Sequence, residues 1–556
     1  MNFRPFRSFG KTLESANTKF VVYAGLLVVV LIVGAFLRLD NIVERGLVEW
    51  DEGQYLVETQ FIRSAIGLVS NLENYQGVGG AARFEADVQG RPPVSAKPGH
   101  DLAIYVVSLF FGLRDYTGPL TSAIFGICTI IATFFIGGRL FSWGAGTGAA
   151  TVIAVSGLHV MYSRAGLAEV VSPFFLLLGV AGLVSLGSGG RVRYWLAIVT
   201  GLALGYGVTC NYRWIPIVIA LMLGSALWTA LFADRNSRRA QFGGIGIATA
   251  AGLVPPVIMQ VPYWVGQIMG LPLDSKHGPT YFDHVWWFFK YKPAEGKFLA
   301  HDLFVSQFWA LEGPLITALA IAAIGLVLWR IRDWRIVAFS VPVVIPLLLF
   351  SLSVRGDRLV AISIVAPFSA ILAGLVIDWA VRKFPSRVRS PILAGLIAAI
   401  LAVGVWNTSW LLDVRSDWRG VMRYIENAGS PKLLGYQPAI AKYYLGLKNA
   451  RNVPKDDAEM ADAISDGFRF LVLDWKKYHD DYENDVVRKI DKICDPLAIF
   501  ENNVVYFPIF VDDFHYAHPG SKMMHEPDVF ETRILSDPHA DKIRLYDISG
   551  YLSGEC

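Results

Sequence analysis

From residue 20 to residue 411, long apolar runs alternate with short polar turns. Stretches of 18–24 mostly apolar residues match a bilayer core of about 30 Å. They recur near 20–37, 118–138, 145–162, 168–187, 194–210, 214–232, 243–263, 313–329, 335–352, 359–381 and 391–411. The pattern predicts about 11 transmembrane helices. A twelfth apolar run, 101–113, is too short to span.

Basic residues give these spans a direction. The segment before the first span holds Arg4, Arg7, Lys11 and Lys19, which places it in the cytoplasm under the positive-inside rule. With eleven spans, the cytoplasmic turns hold Arg139; Arg191 and Arg193; Arg235, Arg238 and Arg239; Arg330, Arg332 and Arg335; then Arg382, Lys383, Arg387 and Arg389. Were 101–113 also a span, all of these would face outward, so it reads as a helix lying in the outer interface. The first span has no small-residue cleavage site after it and reads as an anchor. Three sizeable pieces then fall outside: 38–117, 264–312 and the tail 412–556.

The tail changes character. Phe468–Asp474 and Asn503–Val511 read as strands, and Trp418–Ala428 and Val486–Cys494 as amphipathic helices. Their alternation predicts a C-terminal extracytoplasmic α/β domain after a transmembrane domain of residues 1–411. Cys494 and Cys556 share this domain, where a disulfide is permitted.

Composition agrees with a polytopic membrane protein. The chain is 54% apolar and 17% charged, with a mean hydropathy of +0.43. Counted without Tyr and with Gly, the apolar share is about 59%, against roughly 45–50% apolar and 25% charged for soluble proteins. These figures exclude a disordered, collagenous or disulfide-scaffold chain. The net charge of +3 gives no support to nucleic-acid binding.

Charge beside membrane spans is costly and generally faces a polar cavity. On this topology such charges meet at the outer face from separate stretches. The first outer loop carries Trp50-Asp51-Glu52-Gly53-Gln54-Tyr55 and then Lys97-Pro98-Gly99-His100. Arg164 and Glu169 follow the third span, Arg213 follows Asn211-Tyr212, and Arg355, Asp357 and Arg358 join the ninth span to the tenth. A carboxylate in a water-poor pocket can take a proton from an acceptor hydroxyl. Fixed cations can stabilise a phosphate leaving group.

Each residue also has a structural reading. Asp51 could be a solvated carboxylate or a helix cap, and Lys97 a headgroup anchor. Arg164 and Glu169 could pair with each other, and Arg213 could snorkel to the interface. Arg355 and Arg358 are outward-facing positives, against the usual bias. His277, His284 and His301 lie around Trp286-Trp287-Phe288-Phe289, and Asp512, Asp513 and His515 lie in the tail. Neither set has a recognised ligand spacing, so no cofactor is certain, and a divalent metal stays open. No Gly-rich phosphate loop follows a strand.

The stretches WDEGQYL, Lys97-Pro98, GPLTSAIFGICTIIATFFIGGRLF, HVMYSRAGLAEV, NYRWIP and RGDRLVAISIVAPFSAILAG occur in this order over about residues 20–410. Together they resemble the GT-C membrane glycosyltransferases, notably the aminoarabinose transferases and protein O-mannosyltransferases. The resemblance implies inverting transfer of a sugar from a polyprenyl-phosphate donor at the extracytoplasmic face of a bacterial inner membrane. It implies Asp51 as catalytic base, with Glu52 and Glu169 as further acidic positions. Lys97, Arg164, Arg213, Arg355 and Arg358 would lie near the donor phosphate, and Tyr55 and His100 would position substrate. Gln54 stands where aminoarabinose transferases carry arginine, Gly99 where they carry a second proline, and the histidine-flanked acidic motif of the mannosyltransferases is absent. A member adding sugar to a lipid-linked glycan, envelope polysaccharide or lipopolysaccharide core fits these departures better than either branch, within an acceptor class of envelope glycans, glycolipids or proteins. The rival class is a lipid or glycan flippase, which generally needs midplane charges and repeat symmetry.

Overall fold

A computed structural model describes residues 13–70, 95, 97–187, 192–268, 278, 280–291, 301–351, 363–429, 432–477, 484–506 and 537–555. Arg355, Asp357, Arg358, His277, Asp512, Asp513, His515 and Cys556 lie outside the described residues.

Among the described residues, the transmembrane part is built of helices. It opens with α1 (Leu13–Leu39), the loop helix α2 (Trp50–Ser70), α3 (Pro98–Phe111) and α4 (Thr117–Leu140). Next come α5 (Trp143–Val155), α6 (Gly157–Arg164), α7 (Ala168–Gly187), α8 (Tyr194–Cys210), α9 (Ile215–Phe232), α10 (Arg235–Gly252) and α11 (Val254–Ile268). It finishes with α12 (Tyr281–Tyr291), α13 (His301–Trp329), α14 (Trp334–Ser351), α15 (Val365–Val381) and α16 (Arg389–Thr408). Among the described residues, seven helices are long and apolar enough to cross a membrane, or eight if the bent pair α5–α6 counts as one span. The other three expected spans are occupied by shorter apolar helices, Tyr194–Cys210, Trp334–Leu347 and Val365–Val381. The chain is a multi-pass membrane protein. At 14 residues, α3 is too short to cross. It buries His100, Asp101, Ile104 and Val107 while exposing Val106, Leu109 and Phe110.

Small residues let the spans approach closely. Gly374 of α15 packs against the Ala145 carbonyl and Ala149 of α5, where a side chain would collide with backbone.

The expected continuous span 145–162 is instead broken at Ser156, with α5 and α6 bent by 57°. Both free helix ends find partners on neighbouring spans, as buried backbone polar groups must. Arg38 donates to the Ile153 and Ala154 carbonyls, each at 2.9 Å. Glu312 accepts from Ser156 Oγ at 2.7 Å and Leu158 N–H at 3.1 Å.

After the 3-10 turn Ser409–Asp413 the chain enters the tail domain. This comprises α17 (Trp418–Asn427), β1 (Leu433–Gly435), α18 (Pro438–Leu445), β2 (Ala450–Arg451), α19 (Asp457–Ser465), β3 (Phe470–Leu473), α20 (Asp485–Ile493), β4 (Ala498–Glu501) and β5 (Lys542–Asp547). The strands form one mixed sheet in the order β2-β1-β3-β5-β4, with β1 parallel to β2 and β3, and β5 antiparallel to β3 and β4. Alternate side chains serve two layers. Leu433, Phe470, Val472, Ile543 and Leu545 join the core that runs on into the membrane helices. Leu434, Leu471, Leu473 and Tyr546 pack with Val486, Val487 and Ile490 on the far side.

One expected strand is corrected. Asn503–Tyr506 is a 3-10 turn, because Asn503 ties its amide groups to the Asp413 carbonyl (2.7 Å) and the Arg415 N–H (2.8 Å). These local bonds compete with a strand ladder. Residues 507–511 of that expected strand lie outside the described residues. Cys494 is disulfide-bonded, whereas Cys128 and Cys210 are free.

The tail domain is clasped onto the first outer loop. Arg419 of α17 grips Asp115 with Nε at 2.9 Å and Nη2 at 2.7 Å, and the Tyr444 hydroxyl donates to the same carboxylate at 2.6 Å. Helix α18 lies across α2 so closely that a Cβ at Gly53 would stand 2.6 Å from the Ile440 backbone. Only a glycine admits that approach.

Candidate active site

The acidic motif opens α2, so Asp51 and Glu52 sit in its first turn, where the helix dipole favours negative charge. The two carboxylates then diverge. Asp51 is half-buried and accepts from the Tyr55 hydroxyl, one turn on, at 3.2 Å. Glu52 is buried and turned away into the protein. It takes Arg45 in a fork (2.7 and 3.2 Å), the N–H groups of Val48 (2.7 Å) and Glu49 (3.3 Å), and the N–H of Gly166 (2.8 Å). A carboxylate so fully engaged fixes the motif's backbone against the turn after α6.

Lys97 ends the loop that leads into α3. Its ammonium is buried, 3.0 Å from Glu169 Oε1 and 5.2 Å from the centre of the Tyr55 ring. Glu169 opens α7 and also accepts from Asn211 Nδ2 at 3.1 Å, while Arg213 Nη1 stands 3.9 Å away. Asn211 turns the chain after α8: its Oδ1 accepts the Arg213 N–H at 3.2 Å and so directs Arg213 back to the site. Lys97, Glu169 and Arg213 thus meet from three elements, and Tyr55 bridges them to Asp51.

His100 stands edge-on to Tyr55, with ring centres 5.0 Å apart and planes at 86°. Its Nε2–H donates to the Gly166 carbonyl at 3.1 Å. Burial pushes its basicity down to about 3, so the ring is neutral.

Arg164 is not brought to this group. It is fully buried, and its Nη1 donates to the carbonyls of Leu37 (3.3 Å) and Asp40 (2.9 Å) at the end of α1. Arg164 and Glu169 therefore do not pair with each other. The spacing in sequence put both at a span end but could not tell which neighbour each would face.

Three residues at the site escape the sequence reading: Asn211, Glu58 and Asp101. Glu58 and Asp101 are buried beside Tyr55, each with one carboxyl oxygen that no donor among the described residues reaches. The available signal is helical spacing, since Asp51, Tyr55 and Glu58 recur at i, i+4 and i+7 on one face of α2.

Two residues past Arg213 in the chain, Ile215 joins Val208, Ile219, Met222, Leu253 and Phe282 in lining an apolar groove of about 550 Å³ between α8, α9, α10 and α12. Among the described residues, no group of three or more His, Cys, Asp or Glu side chains could hold a metal ion.

Compared by sequence, the chain matches no protein-family model and no curated protein. Compared by structure, it is similar to ArnT from Cupriavidus metallidurans bound to undecaprenyl phosphate. The TM-score is 0.55 at 15% identity, over 86% of this chain and 96% of that one. It is also similar to the Archaeoglobus fulgidus oligosaccharyltransferase in its apo form, with a TM-score of 0.52 at 13% identity over 84% and 71% of the two chains. The archaeal oligosaccharyltransferase AglB from the same organism, in complex with an inhibitory peptide and a dolichol-phosphate, gives a TM-score of 0.52 at 11% identity over the same shares. Each likeness covers most of this chain, and the chain has the GT-C fold.

Proposed function

We propose that this protein is a membrane glycosyltransferase that moves a sugar from a polyprenyl-phosphate donor to a hydroxyl of an envelope glycan, glycolipid or protein. The observation that carries this reading is the side chain of Tyr55, which touches both the half-buried Asp51 carboxylate and the buried Lys97 ammonium. An acid able to take a proton and a cation able to hold a phosphate stand on either side of one ring. Two structural relatives are bound to undecaprenyl phosphate and to a dolichol-phosphate, which supports the donor class.

In this reading the prenyl chain lies in the apolar groove that Ile215 helps to line. Lys97 and Arg213 hold the phosphate, with Arg355 and Arg358 as further candidates outside the described residues. Asp51 takes the proton of the acceptor hydroxyl as its oxygen bonds to the anomeric carbon. The bond from that carbon to the phosphate oxygen breaks, the configuration inverts, and polyprenyl phosphate leaves with its new charge facing Lys97 and Arg213. Glu169 keeps the two cations in register, Glu52 fixes the motif, and Tyr55 and neutral His100 line the approach. Arg164 serves as the cap of α1. The site would face the periplasmic side of a bacterial inner membrane, with the N-terminus in the cytoplasm and the tail domain closing the acceptor side.

The test is sugar transfer from a panel of polyprenyl-phosphate sugars by wild type and Asp51→Asn, with donor binding measured in both. Loss of turnover by about 10²–10⁴-fold with donor binding retained is the expected result. Equal turnover removes Asp51 as the base. Lipid movement across vesicles with no transfer from any donor replaces the reading with a flippase.

A further inference from the structure

The mechanism leaves two buried acids unused. Glu58 lies two turns along α2 from Asp51, and Asp101 lies in the first turn of α3; they are 5% and 0% exposed. Both are buried beside Tyr55, and the Glu58 charge acts directly on Asp101. Around them, Gln54 Nε2 donates to Glu58 Oε1 at 2.8 Å, and Ser95 Oγ donates to Asp101 Oδ2. Glu58 Oε2 and Asp101 Oδ1 find no N–H or O–H donor from any other described residue. Two ionised carboxylates are acceptors only, so neither satisfies the other's bare oxygen unless one of them carries a proton. Like charges buried together do not both ionise. Burial and the neighbouring carboxyl together hold Asp101 well above the usual carboxylate range, and burial raises Glu58.

The pair touches the donor side of the site through one small residue. Ser95 Oγ, while donating to Asp101, accepts the backbone N–H of Lys97 at 3.0 Å. The Ser95 N–H in turn donates to the Tyr263 hydroxyl at 3.0 Å. Lys97 needs such a support. It precedes α3 with non-helical φ −132° and ψ 52°, and its side chain makes no capping bond. The bond from its N–H to Ser95 Oγ holds its backbone while its ammonium meets Glu169 and the Tyr55 ring.

We propose that Glu58 and Asp101 share a single proton and, through Ser95, are the positioning residues of Lys97. The proposal rests on the assignment of Lys97 to the donor phosphate. With the proton in place, the pair carries one negative charge and keeps Ser95 and Lys97 fixed. When that proton leaves, the carboxyls repel, the Ser95 anchor loosens and a second negative charge appears beside the phosphate pocket. The titratable and charged groups facing the pair are Asp51 and Tyr55 from α2, Lys97 from the loop, Tyr206 and Cys210 from α8 and Tyr263 from α11; Glu169 of α7 lies behind Tyr55. Of these, Lys97 is the cation, and its ammonium is committed to Glu169.

Asp101→Asn makes a permanent copy of the shared-proton state, since its amide can donate to Glu58 and its carbonyl can accept from Ser95. Glu58→Gln does the same from the other side. Full-length wild type, both variants and Asp101→Leu would be placed in nanodiscs. Undecaprenyl phosphate binding would be followed against pH, and the protonated-carboxyl stretch followed by infrared difference spectroscopy. Expected is a protonated-carboxyl band at neutral pH in wild type that both amide variants lack. Wild-type affinity should fall about tenfold as alkali removes the band, while Asp101→Asn binds evenly across the range and Asp101→Leu binds about tenfold more weakly throughout. An unchanged band in both amide variants overturns the shared proton. A pH profile for Asp101→Asn identical to wild type, or full affinity in Asp101→Leu, overturns the positioning role. Absence of undecaprenyl phosphate binding by wild type at every pH removes the donor reading instead, and the infrared bands then decide the pair alone.

Discussion

The Lys97 ammonium lies 3.0 Å from Glu169 Oε1, and both side chains are buried. An ion pair taken out of water gains little for folding by itself, but losing one partner strands the other's charge. Glu169 also holds Asn211, so the same carboxylate sets the turn that carries Arg213.

Glu169→Gln should therefore lower stability by about 3–5 kcal/mol, the cost of breaking a buried pair. It should also weaken binding of a polyprenyl phosphate, because Lys97 and Arg213 lose their common reference. Thermal unfolding in detergent and a lipid-binding titration check the two effects. A variant as stable as wild type would mean that Lys97 is held by something other than this pair.

Gly53→Ala puts a methyl group against the Ile440 backbone, which belongs to helix α18 and cannot swing aside as a side chain can. A loss of about 1–3 kcal/mol is expected, with the tail domain loosened from α2. Faster proteolysis within residues 412–556 reads that loosening directly, and an unchanged cleavage rate would show that the two helices can separate without cost.

His100 is neutral when folded, with its basicity down at about 3 against 6.5 for the free side chain. Between those values the unfolded chain binds the proton and the folded one does not, so this residue's contribution is full above about 6.5 and lost as pH falls toward about 3. The slope is at most about 1.4 kcal/mol per pH unit. Subtracting the stability–pH curve of His100→Gln from that of wild type should isolate this rise with pH. A flat difference would place the ring in contact with water.

Asp101 works in the opposite direction. With both carboxyls of the pair raised, the folded protein keeps a proton that the unfolded chain releases above about 4. Wild-type stability thus falls as pH rises above that point until the folded pair itself ionises. Asp101→Asn removes the term, so its unfolding midpoint relative to wild type should climb with pH over the same window. An offset that does not change with pH would indicate that both acids are already ionised at low pH.

Charge near a membrane span is costly enough to stand out in a sequence, which is why Asp51, Lys97, Glu169 and Arg213 could be singled out and why the structure has them as neighbours through Tyr55. Arg164 stood out for the same reason, yet its Nη1 turns to carbonyls at the end of α1 and away from the site. Asp101 did not stand out. It opens the short apolar run 101–113, and only the packing of α3 against α2 and α8 takes it out of water. Asn211 looks like an ordinary end to a helix until Glu169 is placed beside it.

The sequence by itself determined where the apolar helices run and that the tail mixes strands with amphipathic helices. Those are local properties: run length against bilayer thickness, and the periods of 3.6 and 2 that separate helix from strand. Tertiary structure decided the break at Ser156, where two neighbouring spans supply Arg38 and Glu312 to satisfy the freed backbone. It also decided the partner of each buried charge and the seating of α18 on Gly53. A buried charge or an open helix end is stabilised by whichever group lies nearest in space, and residues 38, 156 and 312 become neighbours only when the spans pack.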